Sequence, residues 1–128
     1  MKIIQETRTL HDVIKLCSLR PSKDYIKGQD ELIESIYVGL PLRGILVEKT
    51  IKQWILLTGQ QRMQIITNFY YNGFMLHDTR LDKSLELQCF STLKYKERFL
   101  TTPIICYFLT YATKLNKPII LEMMENWS

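Results

Sequence analysis

No apolar run in these 128 residues approaches the roughly 20 needed to cross a bilayer as a helix, so no membrane span is expected. The opening residues Met1-Lys2-Ile3-Ile4-Gln5-Glu6 contain no apolar stretch followed by a small-residue cleavage site, which argues against a secretory signal. Cysteine is scarce: Cys17, Cys89 and Cys106 are odd in number and far apart. That spacing suits neither a disulfide framework nor the close ligand pairs of a zinc site, and a reducing cytoplasm is the expected setting. The two histidines, His11 and His77, are equally distant and lack a neighbouring Asn or Cys, so no metal centre is expected there. Repeats, low-complexity tracts, linkers and runs of five like charges are also missing. The net charge of +4 and pI of about 9.0 are compatible with a phosphate-bearing ligand. With the lysines and arginines scattered, charge alone does not argue for nucleic-acid binding.

What remains is the composition of a globular domain. Hydrophobic residues make up 46% and charged residues 23%, enough for a core, and the length suits a single domain over 1–128. Thr9 is placed to cap a helix over 10–17, with Leu10, Val13, Ile14 and Cys17 on one face, and Pro21 follows. Asp30 is the expected cap of a second helix reaching Val38, which Gly39 and Pro41 end. The runs 44–48 and 54–57 around a polar turn read as adjacent, antiparallel strands. A third helix opens at Gln60 and closes at Asn72-Gly73, followed by a strand expected over Phe74-Met75-Leu76. Residues 77–100 are hard to assign beyond a helical turn near 95–99. Residues 103–109 are apolar enough for a central strand, and a last helix starts near Pro118 with Ile119, Ile120, Met123, Met124 and Trp127 at helical spacing. That stripe is expected to pack into the core, a partner-docking face at Met123, Met124 and Trp127 being the alternative. The mixture predicts an α+β domain with a small mixed or antiparallel sheet and flanking helices.

Chemistry concentrates at Thr58-Gly59-Gln60-Gln61-Arg62. A strand that stops at glycine and opens into a helix presents N–H groups with no internal partner and the positive end of the helix dipole. Gly59 lets a phosphate approach the backbone, Arg62 offers a planar fork, and Gln60 and Gln61 offer donors and acceptors for phosphate or water. Thr58 is placed to cap the helix or touch a metal-bound water. The plain structural reading of the same residues is a cap and a solvated first turn.

The segment 55–69, with Asn72-Gly73-Phe74 as its exit, resembles the signature of the N-terminal domain of GmrSD-type restriction endonucleases: an apolar strand, Asp-Gly-Gln-Gln-Arg, then a helix. Upstream, Val38-Gly39-Leu40-Pro41-Leu42 resembles the family's Gly-Tyr-Pro-Ile stretch. Downstream, Phe90-Ser91-Thr92-Leu93 and Arg98-Phe99 resemble its Phe-x-x-Leu-Pro and Arg-x-x-Phe region. The resemblance spans roughly Leu10 to Trp127 and is sharpest at Gly59 to Arg62. It implies a ParB/sulfiredoxin-like fold with a nucleotide phosphate site at Gly59, Gln60, Gln61 and Arg62. Two departures stand out: Thr58 replaces the family's acidic residue, and Ser22-Lys23-Asp24-Tyr25 stands where the family has Gln-Arg-x-Tyr. Lys23 keeps the charge without the fork, and Tyr25 is retained. Asp24 and Glu48 are the nearest candidates to replace the lost carboxylate. Relatives continue into a nuclease region of the His-Asn-His type, which is not expected within this chain.

The function so implied is a nucleotide sensor or regulatory domain of a restriction or phage-defence system. It would bind a nucleoside triphosphate with magnesium, Lys23 and Arg62 neutralising phosphate and Tyr25 and Thr58 lying at the site. Any hydrolysis would use Gln60, Gln61 and Arg62 to place water, and DNA or a nuclease subunit is the expected macromolecular partner. Two rival readings remain open: a degenerate, non-catalytic interaction module, and a DNA-binding domain. Elsewhere, Phe69-Tyr70-Tyr71 reads as core packing, Lys94-Tyr95-Lys96 as solvated surface, and Cys17 and Cys106 as inert core thiols.

Overall fold

A computed structural model describes residues 1–110 and 116–127, the side chains of 125–127 excepted. The chain runs β1 (Lys2–Thr9), α1 (Leu10–Cys17), α2 (Gln29–Tyr37), β2 (Ile45–Lys49), β3 (Trp54–Leu56), α3 (Gln60–Tyr70), α4 (Lys96–Leu100), β4 (Pro103–Thr110) and α5 (Asn116–Trp127). Two single 3-10 turns, Lys83–Leu85 and Phe90–Thr92, interrupt the long stretch between α3 and α4. The four strands form one mixed sheet in the order β1-β4-β2-β3. β1 is antiparallel to β4, β4 parallel to β2, and β2 antiparallel to β3. This is the expected α+β class. No helix among the described residues is long and apolar enough to cross a membrane.

The hairpin β2–β3 closes through Thr50, whose N–H donates to the Gln53 carbonyl at 3.0 Å. β4 is central, as its apolar run requires, with Ile104, Cys106 and Phe108 facing the main core. The helices α1 to α4 cover that face. Phe69 of α3 is fully buried and stands within 5.4 to 6.2 Å, ring centre to ring centre, of Phe74, Phe90 and Phe99. Each such side chain contributes about 1.5–3 kcal/mol by leaving water.

Four local expectations change. β1 had no sequence signal, because an exposed edge strand need not alternate polar and apolar residues; Ile3 and Ile4 are both exposed. Residues Phe74-Met75-Leu76 do not form a strand. Leu76 instead exchanges a single backbone pair with residues 87 and 88, and Leu87 at φ +64 turns the chain away before a ladder can propagate. α2 is capped by Gly28 rather than Asp30, because the Asp30 carboxylate accepts the His77 and Asp78 N–H groups at 3.0 Å each. Finally, the apolar stripe of α5 is not ordinary core. Ile120 and Met124 are half-buried, but Ile119 and Met123 are 57% and 66% exposed. Lys117 of the same helix pairs with Glu48, whose side chain projects from β2 opposite the main core. The Trp127 side chain lies outside the described residues.

Candidate functional site

β3 ends at Leu56 and the chain turns through Thr58 and Gly59 into α3. Leu57 and Thr58 both donate N–H to the Leu46 carbonyl, at 2.8 and 3.3 Å, which ties the turn to β2. Gly59 occupies the cap position at φ +78, and no side chain caps the helix. A β-carbon there would lie 2.9 Å from both Ile45 Cγ2 and Arg62 Nη2, so glycine is demanded by conformation and by space. The first turn of α3, where Gln60 and Gln61 are exposed residues, therefore has no side-chain acceptor for its N–H groups, the arrangement that favours an anion.

The side chains divide. Thr58 neither caps the helix nor faces solvent freely: its Oγ1 accepts the Leu46 N–H at 2.9 Å. Gln60 folds back, Nε2 donating to the Leu57 carbonyl at 2.7 Å. Gln61 is exposed, with its amide unengaged among the described residues. Arg62 reaches across to the start of β2, where Nη1 donates to the Arg43 carbonyl at 2.7 Å and Nη2 to the Gly44 carbonyl at 3.1 Å. It is thus first a clamp between α3 and β2, with Nε and the second hydrogen on each terminal nitrogen remaining. Burial, and after it the charge of Arg43, hold its guanidinium pKa below the ordinary value. That repulsion requires the Arg43 side chain to lie near Arg62, whose Nη1 bonds the Arg43 carbonyl. Arg43 escaped the sequence reading; its only signal was a basic residue at the entry to the strand paired with the Thr-Gly turn.

Lys23 and Tyr25 are not brought to this site. The Ser22 N–H donates to Asn68 Oδ1 at 2.7 Å, and Gln64 Nε2 donates to the Arg20 carbonyl at 2.8 Å. Asn68 is more than two turns beyond Gln60, about 12 Å along the axis of α3. Tyr25 is 75% exposed and lines a different hollow with Gly28, Glu31 and Arg80. Asp24 belongs to that same remote loop, its N–H held by Ser22 Oγ. Glu48 is spent on Lys117 at 2.7 Å on the other side of the sheet. Neither carboxylate replaces the missing acid before Gly59.

A second polar centre had gone unread. Glu34 of α2 is 3% exposed, and its carboxylate accepts the N–H groups of Arg80, Leu81 and Asp82 at 2.9 to 3.1 Å. Burial pushes its pKa upward, but the three backbone donors outweigh burial and hold it below the ordinary range. With Asp30 one turn earlier, it pins residues 77–82 onto α2. Among the thiols, burial pushes Cys17 and Cys106 up to about 11, as inert core residues, whereas the Ser91 and Thr92 hydroxyls lower that of Cys89.

A scan of protein-family models finds none that matches the chain, and comparison with curated proteins and with solved structures likewise finds no match. The site is defined by its own geometry: an uncapped helix opening entered through Gly59, with Arg62 clamped to the start of β2.

Proposed function

We propose that the chain binds the phosphates of a nucleotide at the opening of α3 and serves as a regulatory sensor. The carrying observation is the uncapped N-terminus of α3, entered through Gly59 at φ +78, with Arg62 held beside it on the Arg43 and Gly44 carbonyls. Phosphate would meet the N–H groups of Gln60 and Gln61 and the Gln61 amide, in the field of the two guanidinium groups. Arg43 takes the neutralising part that the sequence had offered to Lys23. The placement of Asp24 and Glu48 supports binding rather than turnover, and magnesium would arrive on the nucleotide. A ParB/sulfiredoxin-like ancestry and a role in restriction or phage defence rest on the resemblance of residues 55–73 to GmrSD-type N-terminal domains.

The interaction-module reading draws support from one fact: Thr58, Gln60 and Arg62 already satisfy backbone groups of their own chain. Calorimetric titration of the four ribonucleoside triphosphates, with and without magnesium, separates the two. Micromolar binding that Arg43→Glu weakens about tenfold or more supports the phosphate site. No heat of binding by a folded wild type refutes it and leaves the interaction module.

A further inference from the structure

The edges of the sheet are unequal. β3 is a three-residue edge, whereas β1 is an eight-residue edge that pairs with no strand on its outer side among the described residues. Long open edges are templates for another chain, and β1 carries neither proline nor bulge to blunt it. Its polarity follows from the register. The Leu10 N–H donates to the Thr102 carbonyl at 2.8 Å, one step beyond the pair Thr9 and Pro103, and proline has no N–H to give. Counting back by twos, Arg8, Glu6, Ile4 and Lys2 direct their backbone groups to β4, and Ile3, Gln5 and Thr7 direct theirs outward.

We infer that β1 is a self-association edge, pairing antiparallel with β1 of a second copy of this chain about a two-fold axis at Ile4. In that register Ile4 faces the partner's Ile4, Ile3 and Gln5 exchange N–H and C=O bonds with the partner's Gln5 and Ile3, and Lys2 stands opposite the partner's Glu6, twice by symmetry. Charge selects it over its neighbours. An axis at Gln5 sets Lys2 against Arg8, and one at Glu6 sets Glu6 against itself; both are repulsive. An axis at Thr7 would pair Glu6 with Arg8 but leave Ile3 and Ile4 uncovered at 48% and 40% exposure. The Glu6 carboxylate is ready for a second cation: both Arg8 contacts, at 3.0 and 2.7 Å, fall on Oε2, leaving Oε1 for the partner's Lys2. Pairing in this register also covers Ile4, 40% exposed, with the partner's Ile4. The product is one eight-stranded sheet across two copies.

Sedimentation velocity over a concentration series up to about 100 µM tests this, since standard interfaces dissociate at or below the micromolar range. The expected species has twice the chain mass of 15.2 kDa. Gln5→Pro removes an outward N–H that β4 does not use, so it should abolish the dimer while far-ultraviolet circular dichroism stays unchanged. Lys2→Glu should raise the dissociation constant about tenfold through two repulsive pairs, and Lys2→Glu with Glu6→Lys should restore it. This charge exchange decides the question even where the proline variant fails to fold. A monomeric wild type, a dimer indifferent to a folded Gln5→Pro, or a charge exchange that restores nothing overturns the inference. Nucleotide binding at α3 is independent of each outcome.

Discussion

Replacing Glu34 by alanine tests whether α2 organises the loop that follows α3. The wild-type carboxylate accepts four hydrogen bonds from three consecutive N–H groups while itself 3% exposed. Bonds to a charged acceptor are worth about 1.5–3 kcal/mol each, and a donor left without an acceptor costs about 1–3 kcal/mol. Arg80 and Leu81 are exposed residues, so water will reach part of the vacated space and lower the penalty. A net loss of about 3 kcal/mol follows. For a domain of this size that is about 10 °C in Tm. Glu34→Gln keeps the shape and one acceptor oxygen but turns an NH2 toward donors, so it should lose about 1–2 kcal/mol. The linkage has a definite sign. The folded pKa is depressed below the ordinary 4.5, so the contribution is complete above that pH and disappears as pH falls through the folded value. Urea unfolding followed by circular dichroism, at neutral pH and at a series below pH 5, reads both effects. A Glu34→Ala loss under about 1 kcal/mol at neutral pH, or a wild type and Glu34→Gln with the same acid dependence, would refute the reasoning.

Two further outcomes follow from the same geometry. Gly59→Ala should destabilise by about 2 kcal/mol, from the left-handed backbone together with the 2.9 Å approaches to Ile45 and Arg62, and chemical denaturation reads it directly. In native alkylation with iodoacetamide followed by mass spectrometry, Cys89 should react first, because the Ser91 and Thr92 hydroxyls favour its thiolate, whereas burial holds Cys17 and Cys106 at about 11; labelling in the reverse order would contradict the assignment.

Legibility in the sequence tracked how local each signal was. The 3.6-residue stripes of α1, α2 and α3, the turn between β2 and β3, and the strand-to-helix switch at Gly59 are encoded within a few neighbours, and they stand where the periodicity puts them. Phe74-Met75-Leu76 misled because three apolar residues after a turn satisfy a strand pattern, while their pairing was decided by Leu87, more than ten residues away. β1 was silent because its hydrogen bonds come from β4, a hundred residues downstream, and its side chains owe little to the core.

By itself, then, the sequence determined the α+β class, the central place of β4 and the glycine-entered opening of α3, since each depends on local periodicity and backbone sterics. The tertiary structure alone decided which charges meet. It set Arg43 rather than Lys23 beside Arg62, turned Arg62 into a clamp on the Arg43 and Gly44 carbonyls, and buried Glu34 under residues 80–82. Such contacts join residues far apart in the chain, and a polar side chain takes whichever partner the packing of the backbone brings within hydrogen-bond reach.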